Sequence, residues 1–214
     1  MLGMVADTCE KTFRKNREEI IKMAAGGVLD AEVRVRYESL TCLGLLLNVL
    51  SPEAQVTFHA EMVPMLLKLM KGEELMKMKT RAVQCMTNFV RGLFNEDDEQ
   101  GKEDVPEDHK NLLNTYADEL VQTISDLFQL SIDQNYAPLQ GEALALLSCL
   151  ANVMQTYFVK YYNKFMPGLI NILQTAPFET TAQQELRSNC IQTVGFVLEA
   201  VHDQKELAEE GANQ

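Results

Sequence analysis

The residues best spaced for metal chemistry lie in one acidic stretch, which reads NEDDEQGKEDVPEDH. Counted from Glu96, it places Asp98 third, a glutamine fifth, Gly101 sixth and Glu107 twelfth, close to the spacing of a calcium-binding EF-hand loop. The match fails at position one, where aspartate is expected, at position five, and at the apolar eighth position, which is Glu103. The spacing therefore argues against a calcium site.

The same stretch has a strong negative charge, because it holds eight carboxylates and a single lysine. One interpretation is a solvated spacer, since blocks of like charge do not pack into a core. The other is electrostatic capture of a basic partner, which would raise the association rate and weaken with salt. The sequence leaves both open. The carboxylates predicted to contact a partner are Glu96, Asp97, Asp98, Glu99, Glu103 and Asp104.

Catalytic groups are scattered through the chain. His59, His109 and His202 lie in separate segments, and the sequence has no glycine-rich phosphate loop and no HExxH motif. The five cysteines are far apart, without a CxxC pair or zinc-ligand spacing. These patterns predict a protein that is not an enzyme, holds no metal or cofactor, and keeps its thiols reduced and buried.

The amino-acid composition and net charge limit the kinds of molecule that the protein is expected to bind. Of 214 residues, 46% are hydrophobic and 23% charged, and the formal net charge is -12, which argues against nucleic acid as the main ligand. The leucine-rich run at 43–50 is too short to span a bilayer, and the first residues do not resemble a secretory signal. We therefore expect no membrane partner.

Helical periodicity covers most of the chain, and no segment alternates in the manner of a strand. Short breaks separate the apolar runs, so that eight helices of similar length are predicted. Their predicted ranges are 10–25, 31–50, 53–71, 75–94, 110–132, 137–155, 158–175 and 181–201.

A repeat becomes visible when the second helix of each pair is aligned. The segments are VRYESLTCLG, MKTRAVQCMT, LQGEALALLS and LRSNCIQTVG, which begin at Val35, Met78, Leu139 and Leu186. Their first and ninth columns are apolar, whereas the fifth and tenth hold small residues, which permit close approach of neighbouring helices. The first helices are less alike, but two of them share a mid-helix proline, Pro64 and Pro167.

These spacings predict an all-α, HEAT-repeat (armadillo-like), right-handed α-solenoid of about four helix pairs. The repeats are predicted at 10–50, 53–94, 110–156 and 157–201, with an acidic insertion at 95–109 and a polar tail at 202–214. Residues 1–9 look like the tail of a preceding repeat, so we expect a piece of a longer array.

Four segments carry a family resemblance, namely RVRYESLTCLG, FHAEMVPMLLKLM, MTNF and YYNKFMPGL. In this order they resemble the middle of an importin-beta-family karyopherin, closest to the importin five (Ran-binding protein five) branch. The resemblance implies a nuclear import receptor whose second helices line the surface that holds cargo.

That resemblance also implies partners and a location. They are basic cargo proteins with localisation signals, phenylalanine-glycine nucleoporins and, through the parent protein, Ran-GTP, in the cytoplasm and the nucleus. Asn48, Asn88 and Asn152 on the second helices are predicted to reach cargo backbone amides, with plain solvent-facing asparagines as the alternative. The competing hypothesis for function is a HEAT-repeat scaffold subunit of a multi-protein assembly.

Overall fold

A computed structural model describes residues 10–94, 105–175 and 179–202, and within these ranges every regular element is a helix. The chain divides into two compact units, Met1–Val105 and Pro106–Gln214. In order, the helices are α1 (Glu10–Lys15), α2 (Arg17–Gly27), α3 (Val33–Val49), α4 (Glu53–Gly72), α5 (Met76–Arg91), α6 (Glu107–Asp133), α7 (Ala137–Met154), a 3-10 segment (Gln155–Tyr161), α8 (Tyr162–Thr175) and α9 (Thr181–Val201).

The first unit contains two helix pairs. Helix α2 packs against α3, α4 packs against α5, and the second helices α3 and α5 also contact each other. Their apolar faces form the core, in which Leu40, Leu43, Met78 and Phe89 are almost completely buried. Burial of such side chains contributes about 1.5–3 kcal/mol each, so the stack of helix pairs stabilises the unit.

Close approach between α3 and α5 depends on a small residue, as the column pattern predicts. A Cβ atom on Gly44 would stand 3.1 Å from Asn88 Nδ2 and 3.7 Å from the Cα atom of Cys85. The Asn88 amide donates a hydrogen bond of 3.1 Å to the Gly44 carbonyl oxygen. Gly195, in the matching column of α9, is exposed and has no described neighbour within 4 Å of its Cβ position.

A buried lysine on α5 forms hydrogen bonds to the C-terminal end of α4, the other helix of the second pair. Lys79 Nζ donates to the carbonyl oxygens of Met70 and Lys71 at 2.8 and 3.0 Å, and these are the final turn of α4. Unpaired carbonyls at a helix C-terminus favour a cation. Burial lowers the pKa of Lys79, while the carboxylate of Glu73 acts in the opposite direction.

The second unit contains the other two pairs. Helix α6 packs on α7, α8 packs on α9, and the second helices α7 and α9 contact each other. Helix α9 begins with a capping box, in which the Thr180 hydroxyl accepts from the Gln183 backbone amide. Gln155 alone turns the chain from α7 into the 3-10 segment, with a φ of 48°.

A row of polar contacts joins the two first helices of this unit. Side chains at intervals of three or four residues along α6 meet those of the 3-10 segment and α8, so one face of each helix is used. The pairs are Tyr157 with Glu107 and Asn111, Lys160 with Asn114 and Asp118, Tyr161 with Asp118, and Lys164 with Gln122. The hydrogen bond from the Tyr161 hydroxyl makes the largest contribution to lowering the pKa of the Asp118 carboxyl group.

Several predicted boundaries differ from the structure, and α5 ends at Arg91 and not at 94. The first predicted helix, 10–25, is divided at Asn16 into α1 and α2. Part of the predicted helix at 158–175 is 3-10 up to Tyr161. Helix α6 begins at Glu107 and not at 110, because Pro106 suits a helix start and the carboxylates of its first turn favour the N-terminal dipole.

Several predictions about single residues can be compared directly with the structure. Pro64 and Pro167 both lie inside α-helices, as their matching positions predict. The apolar segment Ala137–Thr175 is long and apolar enough for a membrane span, but 56% of its apolar 18-residue stretch is buried within the structure. A core helix meets the same test, so the segment gives only weak evidence of a span.

Candidate protein-binding surface

The second helices of each unit lie side by side and leave one face uncovered. On α3 this face includes Glu38, Leu45 and Asn48, all exposed, and on α5 it includes Lys77 and Arg91. On α3 these positions are seven and three residues apart and on α5 fourteen, spacings that keep them on one side of each helix. A partner that binds along the second helices would meet these side chains first.

The structure separates the three asparagines predicted to bind cargo. Asn48 is exposed, Asn152 is half-buried, and Asn88 is half-buried with its amide donated to Gly44. Asn48 and Asn88 stand on neighbouring helices of one unit, whereas Asn152 belongs to the other unit. Their contact with a partner stays a prediction, and Asn88 already has a structural role.

The acidic candidates lie outside the described residues. This holds for all six carboxylates between 96 and 104, and for most of the residues in the EF-hand spacing. Among the described residues, no group of three His, Cys, Asp or Glu side chains is arranged to hold a metal ion. The role of the acidic stretch therefore stays a prediction.

Charge is distributed unequally between the second helices. Helix α3 carries Arg34, Arg36 and Glu38, and α5 carries four basic residues and no acidic one. In the second unit, α7 carries Glu142 alone and α9 carries two glutamates and an arginine. An acidic binding surface is therefore a proposal for the second unit and the acidic stretch, and the second helices of the first unit are basic.

A cluster around Tyr37 is the feature that sequence analysis missed. Lys77 Nζ and the guanidinium carbon of Arg81 each lie 4.6 Å from the centre of the Tyr37 ring. Arg81 also donates to the Tyr37 hydroxyl and, at 2.6 Å, to Gln84 Oε1. The aligned repeats contained the signal, because Tyr37 and Arg81 occupy adjacent columns of consecutive second helices.

An open groove of about 750 Å³ lies on the first helix pair. Met23, Val35 and Leu45 give it an apolar lining, and Arg34 and Glu38 stand among the polar residues beside them. Met23 is 65% exposed, which is high for a large apolar side chain. A groove of this size and lining can accept an apolar side chain of a peptide.

The described cysteines form no disulfide with one another, and the two buried thiols are not activated. Cys85 and Cys190 are buried, and Cys42 and Cys149 are half-buried. Burial raises the pKa of Cys85 to about 12, despite the nearby Arg81, and raises the pKa of Cys190 to about 11. Both buried thiols stay protonated at neutral pH and are poor nucleophiles.

Comparison with known proteins gives a consistent result. No family model matches the chain. Importin subunit beta-3 of Saccharomyces cerevisiae is 24% identical over 197 residues, which cover 92% of this chain and 16% of that protein. The crystal structure of Kap121p matches 99% of this chain with a TM-score of 0.80 at 24% identity, and the chain covers 18% of it.

The chain is thus similar to importin subunit beta-3 in sequence and to Kap121p in fold, over nearly its whole length. The all-α HEAT-repeat fold predicted from the aligned columns is confirmed by the same match. Kap121p has also been solved bound to Pho4p and to Nup53p, each with a TM-score of 0.79 to this chain. The chain spans less than a fifth of the length of these proteins.

Proposed function

We propose that this chain is a protein-binding segment of a nuclear import receptor, which acts by binding and not by catalysis. The observation that carries the proposal is the match to importin subunit beta-3 and Kap121p over nearly the whole chain. The uncovered faces of the second helices supply the binding surface. Function in Ran-regulated exchange between cytoplasm and nucleus belongs to the parent protein.

Basic cargo segments are the proposed ligands of the acidic residues. Glu96, Asp97, Asp98 and Glu99 would attract lysine- or arginine-rich localisation signals, and Asn48 and Asn152 would bond to the cargo backbone. Attraction of this kind acts mainly on the association rate and is screened by salt, because the Debye length is about 8 Å at physiological ionic strength.

Phenylalanine-glycine nucleoporin segments are proposed for the apolar groove. The lining of Met23, Val35 and Leu45 suits an aromatic side chain, and methionine adapts its shape to such ligands. Nup53p, to which Kap121p has been solved bound, carries a nucleoporin name, and this supports a nucleoporin among the partners.

The test is fluorescence anisotropy of a labelled lysine/arginine-rich localisation peptide, at low salt and at about 150 mM salt. A variant with Glu96, Asp97, Asp98 and Glu99 changed to Ser is compared with the unaltered chain. We expect binding that survives physiological salt and weakens in this variant.

A matched control removes four exposed carboxylates elsewhere in the first unit. Its substitutions are Glu18→Ser, Glu19→Ser, Glu61→Ser and Glu74→Ser. Equal weakening in both variants would assign the effect to net charge and refute a role for the acidic stretch. Absence of binding at either salt, with no response to a phenylalanine-glycine peptide, would favour the HEAT-repeat scaffold.

A further inference from the structure

The second helices of the first unit bring cations together around one aromatic ring. Lys77 and Arg81 both approach the Tyr37 ring at 4.6 Å, and Arg34 is exposed one helical turn before Tyr37. Each cation–π contact at such a site contributes only about 0.5–1 kcal/mol, so the ring does not replace a full counter-ion.

Neither cation reaches a carboxylate within the described ranges. Arg36 and Lys79, on the same two helices, have partners, because Arg36 pairs with Glu73 at 3.5 Å and Lys79 donates to backbone carbonyls. In contrast, the contacts of Lys77 and Arg81 are to the Tyr37 ring and hydroxyl and to the Gln84 amide. Two like charges around one ring repel each other, and an anion would relieve this repulsion.

Arg81 also retains an unused donor. Its Nε atom is buried and has no hydrogen-bond partner, although the guanidinium nitrogens Nη1 and Nη2 are both bonded. Arginine presents its donors in a planar fork that fits a carboxylate. The buried Nε cannot meet an external ligand, but Nη1 and Nη2 each carry a second N–H that the chain leaves for one.

We propose that this basic surface, defined by Arg34, Tyr37, Lys77 and Arg81, binds a short acidic peptide segment of a partner protein. Aspartate or glutamate side chains of that segment would accept from Lys77 and Arg81. Charge complementarity fixes the sign of the ligand, because the three cations outnumber Glu38, the one carboxylate of α3, and α5 carries no acidic residue.

The size of the surface selects a peptide over nucleic acid. A protein that binds nucleic acid neutralises several phosphates with a broad basic face, whereas this chain has a net charge of -12 and only a local basic surface. A few carboxylates on a peptide match a few cations. The inference uses contacts of the first unit alone and does not require the proposed role in import.

The experiment measures binding of a labelled glutamate/aspartate-rich peptide to the full chain by fluorescence anisotropy. An exposed ion pair contributes about 0.2–1 kcal/mol, so Lys77→Gln should weaken binding about 1.4- to 5-fold, and Lys77→Gln with Arg81→Gln about tenfold. Lys68→Gln is the matched control, because Lys68 is an exposed lysine on first helix α4. It should leave the affinity unchanged, although it changes the net charge as Lys77→Gln does.

Lys77→Gln keeps the test valid even if Arg81→Gln fails to fold, because Lys77 is exposed and its polar contact among the described residues is with the ring alone. Equal affinity in the unaltered chain and in Lys77→Gln would overturn the proposal. So would an equal loss in Lys68→Gln, or tighter Lys77-dependent binding of a single-stranded oligonucleotide.

Two further arms separate this surface from other binding. A lysine-rich peptide of the same length should not lose affinity in Lys77→Gln, whatever its affinity for the acidic stretch. If the acidic peptide binds only after Glu96, Asp97, Asp98 and Glu99 are changed to Ser, the chain's own carboxylates occupy the surface. That result would overturn the proposal that the surface binds an external partner.

Discussion

The contact between Gly44 and Asn88 permits a quantitative prediction for Gly44→Ala. The new methyl group would stand 3.1 Å from the Asn88 Nδ2 atom, which is tighter than an ordinary contact, and the backbone of Cys85 is at 3.7 Å. The Asn88 amide must move by a few tenths of an ångström. Its hydrogen bond to the Gly44 carbonyl, 3.1 Å long, then weakens or breaks.

Two opposing free energies determine the result. Alanine is favoured over glycine in a helix interior by about 0.8–1 kcal/mol. Loss of a neutral hydrogen bond costs about 0.5–1.5 kcal/mol. In the unaltered chain these two contributions nearly cancel, so Gly44→Ala should change the free energy of unfolding by less than about 0.7 kcal/mol. In an Asn88→Ala background the gain should survive almost whole, because nothing remains to be displaced.

The assay is urea unfolding followed by far-ultraviolet circular dichroism for the four chains of this double-mutant cycle. We expect a coupling energy of about 0.5–1.5 kcal/mol between the two positions, with an unchanged dependence on urea. Gly26→Ala serves as the control, because no described atom beyond its own stretch of helix lies within 4 Å of its Cβ position. It should have the same effect in both backgrounds. Equal stabilisation by Gly44→Ala in both backgrounds would refute the argument.

Three further predictions concern other positions. Gly92→Ala should destabilise the chain by about 1–3 kcal/mol in thermal unfolding, because the new Cβ would overlap the side-chain amide of Gln55. That amide is fully buried and donates to the Leu47 carbonyl oxygen. A smaller loss of stability would mean that the Gln55 side chain relocates freely. Cys85 should stay unlabelled by iodoacetamide between about pH 7 and 9 while the half-buried cysteines react, as mass spectrometry of peptides can show; early labelling would place it at the surface. Asp118→Asn should lower the stability of the chain at neutral pH. The pKa of Asp118 is lowered in the folded protein, so its carboxylate stabilises the fold above its ordinary pKa, and this stabilisation is lost as the pH falls through the folded-state pKa. A loss of stability in Asp118→Asn that persists under strong acid would contradict this.

The sequence predicted the repeating parts of the fold well. The small residue at Gly44 and the bounds of α9, 181–201, follow from columns that the four second helices share. Amphipathic periodicity is a property of neighbouring residues, so it can be seen without the structure. The start of α6 was missed because Glu107 and Asp108 look like the end of a charged stretch, although they stabilise a helix N-terminus.

The candidate site was less predictable, because its contacts join different helices. Lys79 occupies an amphipathic helix, where lysine ordinarily faces solvent, yet it is 5% exposed and caps the end of α4. The Tyr37 cluster depends on which residues of α3 and α5 stand opposite each other. Only the packing of the helices fixes that register.

The one-residue turn at Gln155 limits how this chain can vary in length during evolution. One residue added to a helical path rotates every later side chain by about 100°. An insertion there would carry Tyr161 away from Asp118 and Lys164 away from Gln122, and would break the polar row between the first helices. Homologues that keep this row should therefore show no insertions or deletions at this junction, and should vary in length between α5 and α6 instead.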